Sequence, residues 1–289
     1  MLPLKRYAPC LGLVLLTAVS APAFAANTVH FAAHRAVYDI SLARAASGSG
    51  VSGMTGRMVY ELTGSACEGF TQNMRFVTRM SNQEGGETVN DLRNSSWEEA
   101  AGKRLRFSTT QFANEEAVES SQGDVRRPDP AAAANVDLVK PEKSQFALPA
   151  NTYFPMQHAE ALIKAARDGK TLLAASVYDG SEKGTKIYLT NAVIGKAGQA
   201  GGRKDLASLK DAGKDAGRMA ALQSWPMSLS YFESGKDKQD APPAYELSYN
   251  FYENGVTAGL AIDYGEFAIK GDLKELTFLP ESPCAAPEH

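Results

Sequence analysis

Three cysteines, two tryptophans and four histidines are all that this 289-residue chain contains of those residue types. The histidines stand at 30, 34, 158 and 289, too scattered to suggest a metal site. His158 and Glu160 are two apart and point to different sides of a helix, so they cannot chelate one ion as an i, i+4 pair could. There is no G-x-S-x-G elbow, no P-loop and no glycine fingerprint between a strand and a helix. No Asp or Glu is distinguished by its spacing. We therefore assign no catalytic, cofactor-binding or metal-binding residue, and a hydrolase would need a site assembled only in three dimensions. Cationic excess is missing as well: 30 Lys and Arg face 33 Asp and Glu, for a net charge of −3. Nucleic acid is thereby disfavoured, because phosphate binding needs concentrated Lys and Arg. After residue 25 no apolar run is long enough for a transmembrane helix.

The chain begins with a targeting segment, 1–25. Lys5 and Arg6 form a basic start, Leu11 to Val19 is apolar but too short to span a bilayer, and Ala23-Phe24-Ala25 supplies a small-x-small cleavage pattern. Cys10 precedes the apolar run, whereas a lipidated cysteine would directly follow it. We expect cleavage before Ala26, a mature net charge of −5 once Lys5 and Arg6 are gone, and a soluble protein outside the cytoplasm. Cys67 and Cys284 remain. In an oxidising compartment an isolated pair most simply forms one disulfide, two free thiols being the alternative. A bridge would staple the first third of the chain to its end, which favours one domain over 26–289.

Most of the mature chain alternates with period two, the pattern of half-buried antiparallel strands. Ala36, Tyr38, Ile40 and Leu42 share one face; Met54, Met58, Tyr60 and Leu62 mark a second strand, and Phe70, Met74, Phe76 and Met80 a third. Thr88 to Trp97 and Leu105 to Phe112 follow, with Glu116 to Ser121 a weaker candidate. Gly123 to Ala134, with two prolines and no alternation, reads as an exposed excursion in which Arg126 and Arg127 are solvated. Val136 to Val139, Gln145 to Leu148, Leu172 to Tyr178 and Thr185 to Ile194 are further strands. Lys196 to Ala221 is biased toward Gly, Ala, Lys and Asp and reads as a mobile loop, with a short helix at Lys204 to Asp211 the alternative. Trp225, Met227, Leu229 and Tyr231 share a face, and Pro226 confines that strand to an edge, its first residues or a bulge. Asn254-Gly255 predicts a two-residue hairpin loop that sets Phe251 opposite Ala258, Tyr249 opposite Leu260, Leu247 opposite Ile262 and Tyr245 opposite Tyr264. Glu266 to Leu279 supplies the last strands.

One amphipathic helix interrupts this pattern near Pro155. Ala159, Leu162, Ile163 and Ala166 recur at three- and four-residue spacing, Pro155 suits a first turn, and Gly169 suits a left-handed stop. About a dozen strands exceed what a flat sheet tolerates, so we expect a mainly β fold: a large antiparallel curled sheet or open, spiral-like β-barrel with one main helix. An outer-membrane barrel fits poorly, because several strands are short and the connections irregular. Trp97, Trp225, Phe154 and Met156, gathered at the mouth of such a sheet, would line an apolar cleft for a lipid tail or a peptide. Plain core packing is the competing reading.

The blocks HRAVYDISL, CEGF, LPANTYFPMQHAEALI, SVYDGSEKGTKIYLTNAVIG, SWPMSLSYF and YELSYNFYENGVTAGLAIDYGEFAIKG resemble the EipB-like cell-envelope-integrity family of alphaproteobacterial periplasmic proteins. The resemblance implies a periplasmic, spiral-like open barrel whose cysteine pair carries over onto Cys67 and Cys284. It implies a non-enzymatic role in envelope integrity, without cofactor. Binding of an envelope protein or an apolar ligand is the leading expectation; a lipid or lipoprotein carrier and an envelope hydrolase are the alternatives.

Overall fold

The computed structural model describes residues 28–199, 209, 212–235, 241–281 and 284. The targeting segment, and Lys204 to Asp211 apart from Leu209, lie outside them. Sixteen strands join one sheet. The first eight are β1 (His34–Ala45), β2 (Val51–Ser65), β3 (Gly69–Asn82), β4 (Glu87–Glu98), β5 (Arg104–Ala113), β6 (Glu116–Arg126), β7 (Ala134–Lys140) and β8 (Ser144–Leu148). After β9 (Thr152–Tyr153) comes helix α1 (Pro155–Arg167). The chain then forms β10 (Leu172–Val177), β11 (Tyr188–Ile194), β12 (Gly198–Gln199), β13 (Gln223–Glu233), β14 (Tyr245–Tyr252), β15 (Thr257–Asp263) and β16 (Phe267–Phe278).

From β1 the chain meanders outward to β8. It then crosses over and returns through β9 to β16, so that β16 pairs with β1. Only the short β9–β10 contact is parallel. The two ends of the sheet, β8 and β9, are separated by residues 149–151 alone, which draws the edges together. The turn after β10 braces this seam: Ser121 Oγ donates to Gly180 O at 2.6 Å, and Lys183 N donates to Glu119 Oε1 at 3.1 Å. The result is the expected curled, open barrel. Cys67 and Cys284 are bridged, with their Cα atoms 5.6 Å apart, tying the β2–β3 turn to the tail beyond β16.

Several expectations require correction. The strands number sixteen rather than about a dozen. β6 does not fade at Ser121 but runs to Arg126, paired on both sides, so Gly123–Arg126 belongs to a central strand. Its inward face, Ser121, Gly123 and Val125, is too short and polar to announce itself. The prolines fall just after it. Arg127 is buried, not solvated, at 6% exposure. The β14–β15 loop holds three residues, with Tyr252 N donating to Val256 O at 2.9 Å and Gly255 in the left-handed region. Phe251 therefore faces Thr257, and an irregularity at Gly259 restores the expected register at Leu247–Ile262. Residues 212–221 are ordered against β16, where Leu276 N donates to Ala212 O, and Lys214–Ala221 is a 3₁₀ helix rather than a mobile loop. Pro226 falls where β13 has just lost β11 and not yet met β12, a break in the ladder that tolerates a missing donor.

Helix α1 spans one end of the barrel. Its first amides meet Glu98 at the end of β4, while Arg167 in its last turn reaches Thr28 O and, at 3.9 Å, Glu253 in the β14–β15 loop. Thirteen residues at 1.5 Å each cover about 20 Å. Leu162, Ile163, Ala165 and Ala166 pack against Leu62, Trp225, Met227 and Phe251 from the inward faces of β2, β13 and β14. Gly169 stops the helix in the left-handed region, as its sequence predicts.

Candidate functional site in the barrel interior

The sealed end is held by a buried polar network that local sequence does not reveal. Glu98, 1% exposed, accepts Met156 N at 2.7 Å and Gln157 N at 3.0 Å, replacing the side-chain cap that Phe154 cannot provide. Burial pushes its carboxyl up to about 8, with the two amides and nearby Arg127 pulling the other way. Arg127 donates to Gly102 O at 2.8 Å, Thr152 O at 2.7 Å and Gln157 Oε1, and its guanidinium lies 4.0 Å from the centre of the Phe154 ring. Gly102 must be glycine: it takes a positive φ, and an added Cβ would collide with the Gln157 amide. Glu98 has both oxygens engaged by the helix, so we read it as a cap rather than a reactive acid.

Away from this end the inward side chains are less covered. Met58, Met74, Phe76 and Met80 on β2 and β3 remain half-buried, although they face the interior, and so do Tyr231, Tyr245, Leu247 and Tyr249 on β13 and β14. Tyr231, Leu247 and Tyr249 border the core beneath α1, whereas Met58, Phe76 and Met80 border a second core that includes Ala212, Ala216 and Met219 of the 212–221 segment. Tyr188, Tyr231 and Tyr245 pack into a cluster, the last two stacked at 4.6 Å. Tyr264 and Phe267 continue it toward β16. The hydroxyls of Tyr231, Tyr245 and Tyr249 make no hydrogen bond to another described residue. Burial raises all three phenols, so they stay protonated and are donors. At the boundary with the sealed end, Tyr60 OH donates to Gln72 Oε1 at 3.0 Å, and Gln72 Nε2 is buried without an acceptor among the described residues. The interior chamber thus presents half-buried Met and Phe side chains on β2 and β3 and phenol donors on β13 and β14.

The four residues expected to line one cleft are dispersed. Trp225 and Met156 are buried in the core beneath the helix. Phe154 is buried in a separate cluster with Leu105, Leu148 and Tyr178. Trp97 points to the outside of β4, where its indole N–H donates to Glu68 O at 3.2 Å and Arg106 stacks over it at 4.5 Å. The structure therefore brings together only Trp225 and Met156. The half-buried tyrosines were visible in the sequence as alternating positions, but their shared accessibility arises from the curl. Among the described residues no group of three or more metal-type ligands occurs, and no helix is long and apolar enough to cross a membrane.

Comparison with known proteins places these features in a family. Residues 25–280 match the EipB-like family. The chain is 39% identical over 254 residues to the cell envelope integrity protein EipB of Brucella abortus (strain 2308), covering 88% of this chain and 86% of that protein. The crystal structure of a β-barrel-like protein from Brucella abortus, solved as a domain of unknown function, is similar with a TM-score of 0.78 at 36% identity, over 88% of this chain and 100% of that one. With a family pattern matching residues 25–280, a shared barrel and a relative 39% identical over 88% of the chain, the chain belongs to the EipB-like family.

Proposed function

We propose that this chain is an exported, periplasmic protein of 26–289 that maintains the cell envelope by holding an acyl-chain ligand in the barrel interior. The observation that carries the reading is the contrast inside one barrel: side chains beneath α1 are fully buried, whereas Met and Phe on β2 and β3 are half-buried and the phenol hydroxyls of Tyr231, Tyr245 and Tyr249 have no hydrogen-bond partner among the described residues. Alkyl chains suit the Met and Phe side chains, and ester or phosphate oxygens suit the phenols. The name of the Brucella relative supports the envelope role, and the leader at 1–25 supports export. Binding rather than catalysis fits best, since the one carboxyl displaced far upward is committed to the helix.

The test is native mass spectrometry of mature protein purified from the periplasm, followed by solvent extraction and lipid analysis. A stoichiometric acyl-chain species is expected. A clean apo mass, with no retention of added phospholipid, would sink the reading.

A second reading rests on a different observation. β10 pairs with β9 only at Ser176 and Val177, so Leu172–Ala175 present a free edge. Leu172 (68% exposed), Val193 (55%) and Leu189 (47%) stand outward beside it. An extended segment of an envelope protein could add a strand there. Crosslinking in intact cells from position 174 would capture that partner, and a proline there would abolish capture.

A further inference from the structure

On the outer face of β3–β6, opposite the chamber, the register lines up side chains in rows across the strands. Asn73, Ser95, Ser108 and Gln122 are successive partners and form a floor of short polar groups. On one side of it stand Trp97 and Arg106, on the other Arg75 and Arg93. Two hollows of about 390 Å³ each lie along this floor and share Ser95 and Ser108, so they form one trough. Four strands at the usual spacing make it about 15 Å long.

The charge around the trough opposes that of the whole chain. Arg75 and Arg93 share the single carboxylate of Asp91, and Arg104 and Arg126 share that of Asp124. Arg106 forms no ion pair among the described residues; its guanidinium rests on the Trp97 ring. With Glu61 at one end and Asp137 acting on Arg126 from β7, five arginines stand against four carboxylates, in a chain of net charge −3. An arginine pair clamping one carboxylate keeps N–H donors free for a further oxyanion.

We propose that this trough binds an anionic glycan. A row of hydroxyl and amide side chains at strand spacing matches the repeated hydroxyls of a sugar chain, and the arginine walls match carboxylate or phosphate substituents. An acyl chain would desolvate the polar floor without compensating hydrogen bonds. A peptide adding to the sheet finds no edge here, because β3 to β6 are paired on both sides. This site is independent of the interior, since its residues point outward.

The experiment is fluorescence anisotropy with a labelled heparin decasaccharide, against neutral dextran and polyglutamate of similar size, over a range of salt. Saturable binding of heparin is expected, with dextran and polyglutamate clearly weaker. Arg106→Ala and Ser108→Leu should each weaken it about tenfold, the loss expected for one charge-assisted hydrogen bond or a blocked floor, with melting temperature unchanged. Arg44→Gln, which removes a cation elsewhere on the barrel, should leave it unchanged. The proposal fails if the wild type shows no saturable binding, if polyglutamate binds as well as heparin, or if Arg44→Gln costs as much as Arg106→Ala. Lipid retention should be the same in all three variants, so the result is separable from the interior reading.

Discussion

The two ends of the barrel interior are built from the same alternating strands yet are finished differently. At the α1 end, Leu62, Trp225, Met227 and Phe251 are each at or below 5% exposure because a helix supplies the layer that a curled sheet cannot give itself. Away from α1 the covering layer is the shorter 212–221 segment, and Met58, Phe76, Met80, Tyr231 and Tyr245, which share the inward register, stay half-buried. Alternation decides which face a residue takes. What fills the face is decided by elements far away in sequence. The less covered side chains are the ones to which we propose a ligand binds.

The largest effect expected on this comparison comes from outside both ends. The Cys67–Cys284 bridge closes 217 residues, and restricting so long a loop in the unfolded chain contributes up to about 5 kcal/mol. Cys67→Ser should lower the melting temperature and the denaturant midpoint together, and thiol titration of the denatured wild type should find no free cysteine at 67 or 284. Two titratable thiols there would overturn the assignment.

Next comes the sealed end itself. Arg127→Met removes the donors to Gly102 O, Thr152 O and Gln157 and leaves those acceptors without this partner, a loss of about 3 kcal/mol. Urea unfolding measures it, and a change below about 0.5 kcal/mol, the range of an ordinary surface substitution, would mean the network does not hold the helix in place.

A smaller effect is expected from pH. The Glu98 carboxyl is raised from its ordinary value to about 8, so the folded state holds a proton that the unfolded chain has released. Its contribution is present at low pH and lost as pH rises toward and through 8. Buried His34 and His158, whose values are lowered, act oppositely, destabilising the fold as pH falls below about 6.5. Between pH 6.5 and 8 the histidines are neutral in both states and Glu98 is isolated. There the wild type should lose stability with rising pH, and Glu98→Gln should flatten that slope. A parallel slope in the variant would show that Glu98 is already ionised in the fold.

How much of this could be read beforehand depends on the range over which a feature is specified. Helix α1 from Pro155 to the Gly169 stop, the curled sheet and the existence of the β14–β15 hairpin follow from local spacing, whereas the length of the hairpin loop and the pairing next to it do not. Trp97 was misplaced because its neighbours Ser96 and Glu98, one small and one charged, are the inward pair; hydrophobicity there points the wrong way. Arg127 gave no signal, since its burial rests on acceptors 25 to 30 residues away in sequence. The tyrosine cluster gave no signal for a further reason: Tyr188, Tyr231 and Tyr245 look like any half-buried strand residues until pairing of β11, β13 and β14 packs their rings together.

The smallest structural change gives the sharpest test of the less covered side chains. Tyr245→Phe deletes one hydroxyl that no described residue uses, while keeping the ring stacked on Tyr231. At the sealed end, deleting a buried polar atom leaves its partner unsatisfied and costs stability. For Tyr245 no partner among the described residues is orphaned, so stability should stay within about 0.5 kcal/mol of wild type. Ligand retention should respond instead, falling about fivefold, or about 1 kcal/mol for one lost neutral hydrogen bond, as read by native mass spectrometry against added phospholipid. Loss of stability with unchanged retention would reverse the assignment, making the tyrosine cluster ordinary core and the chamber merely loosely packed.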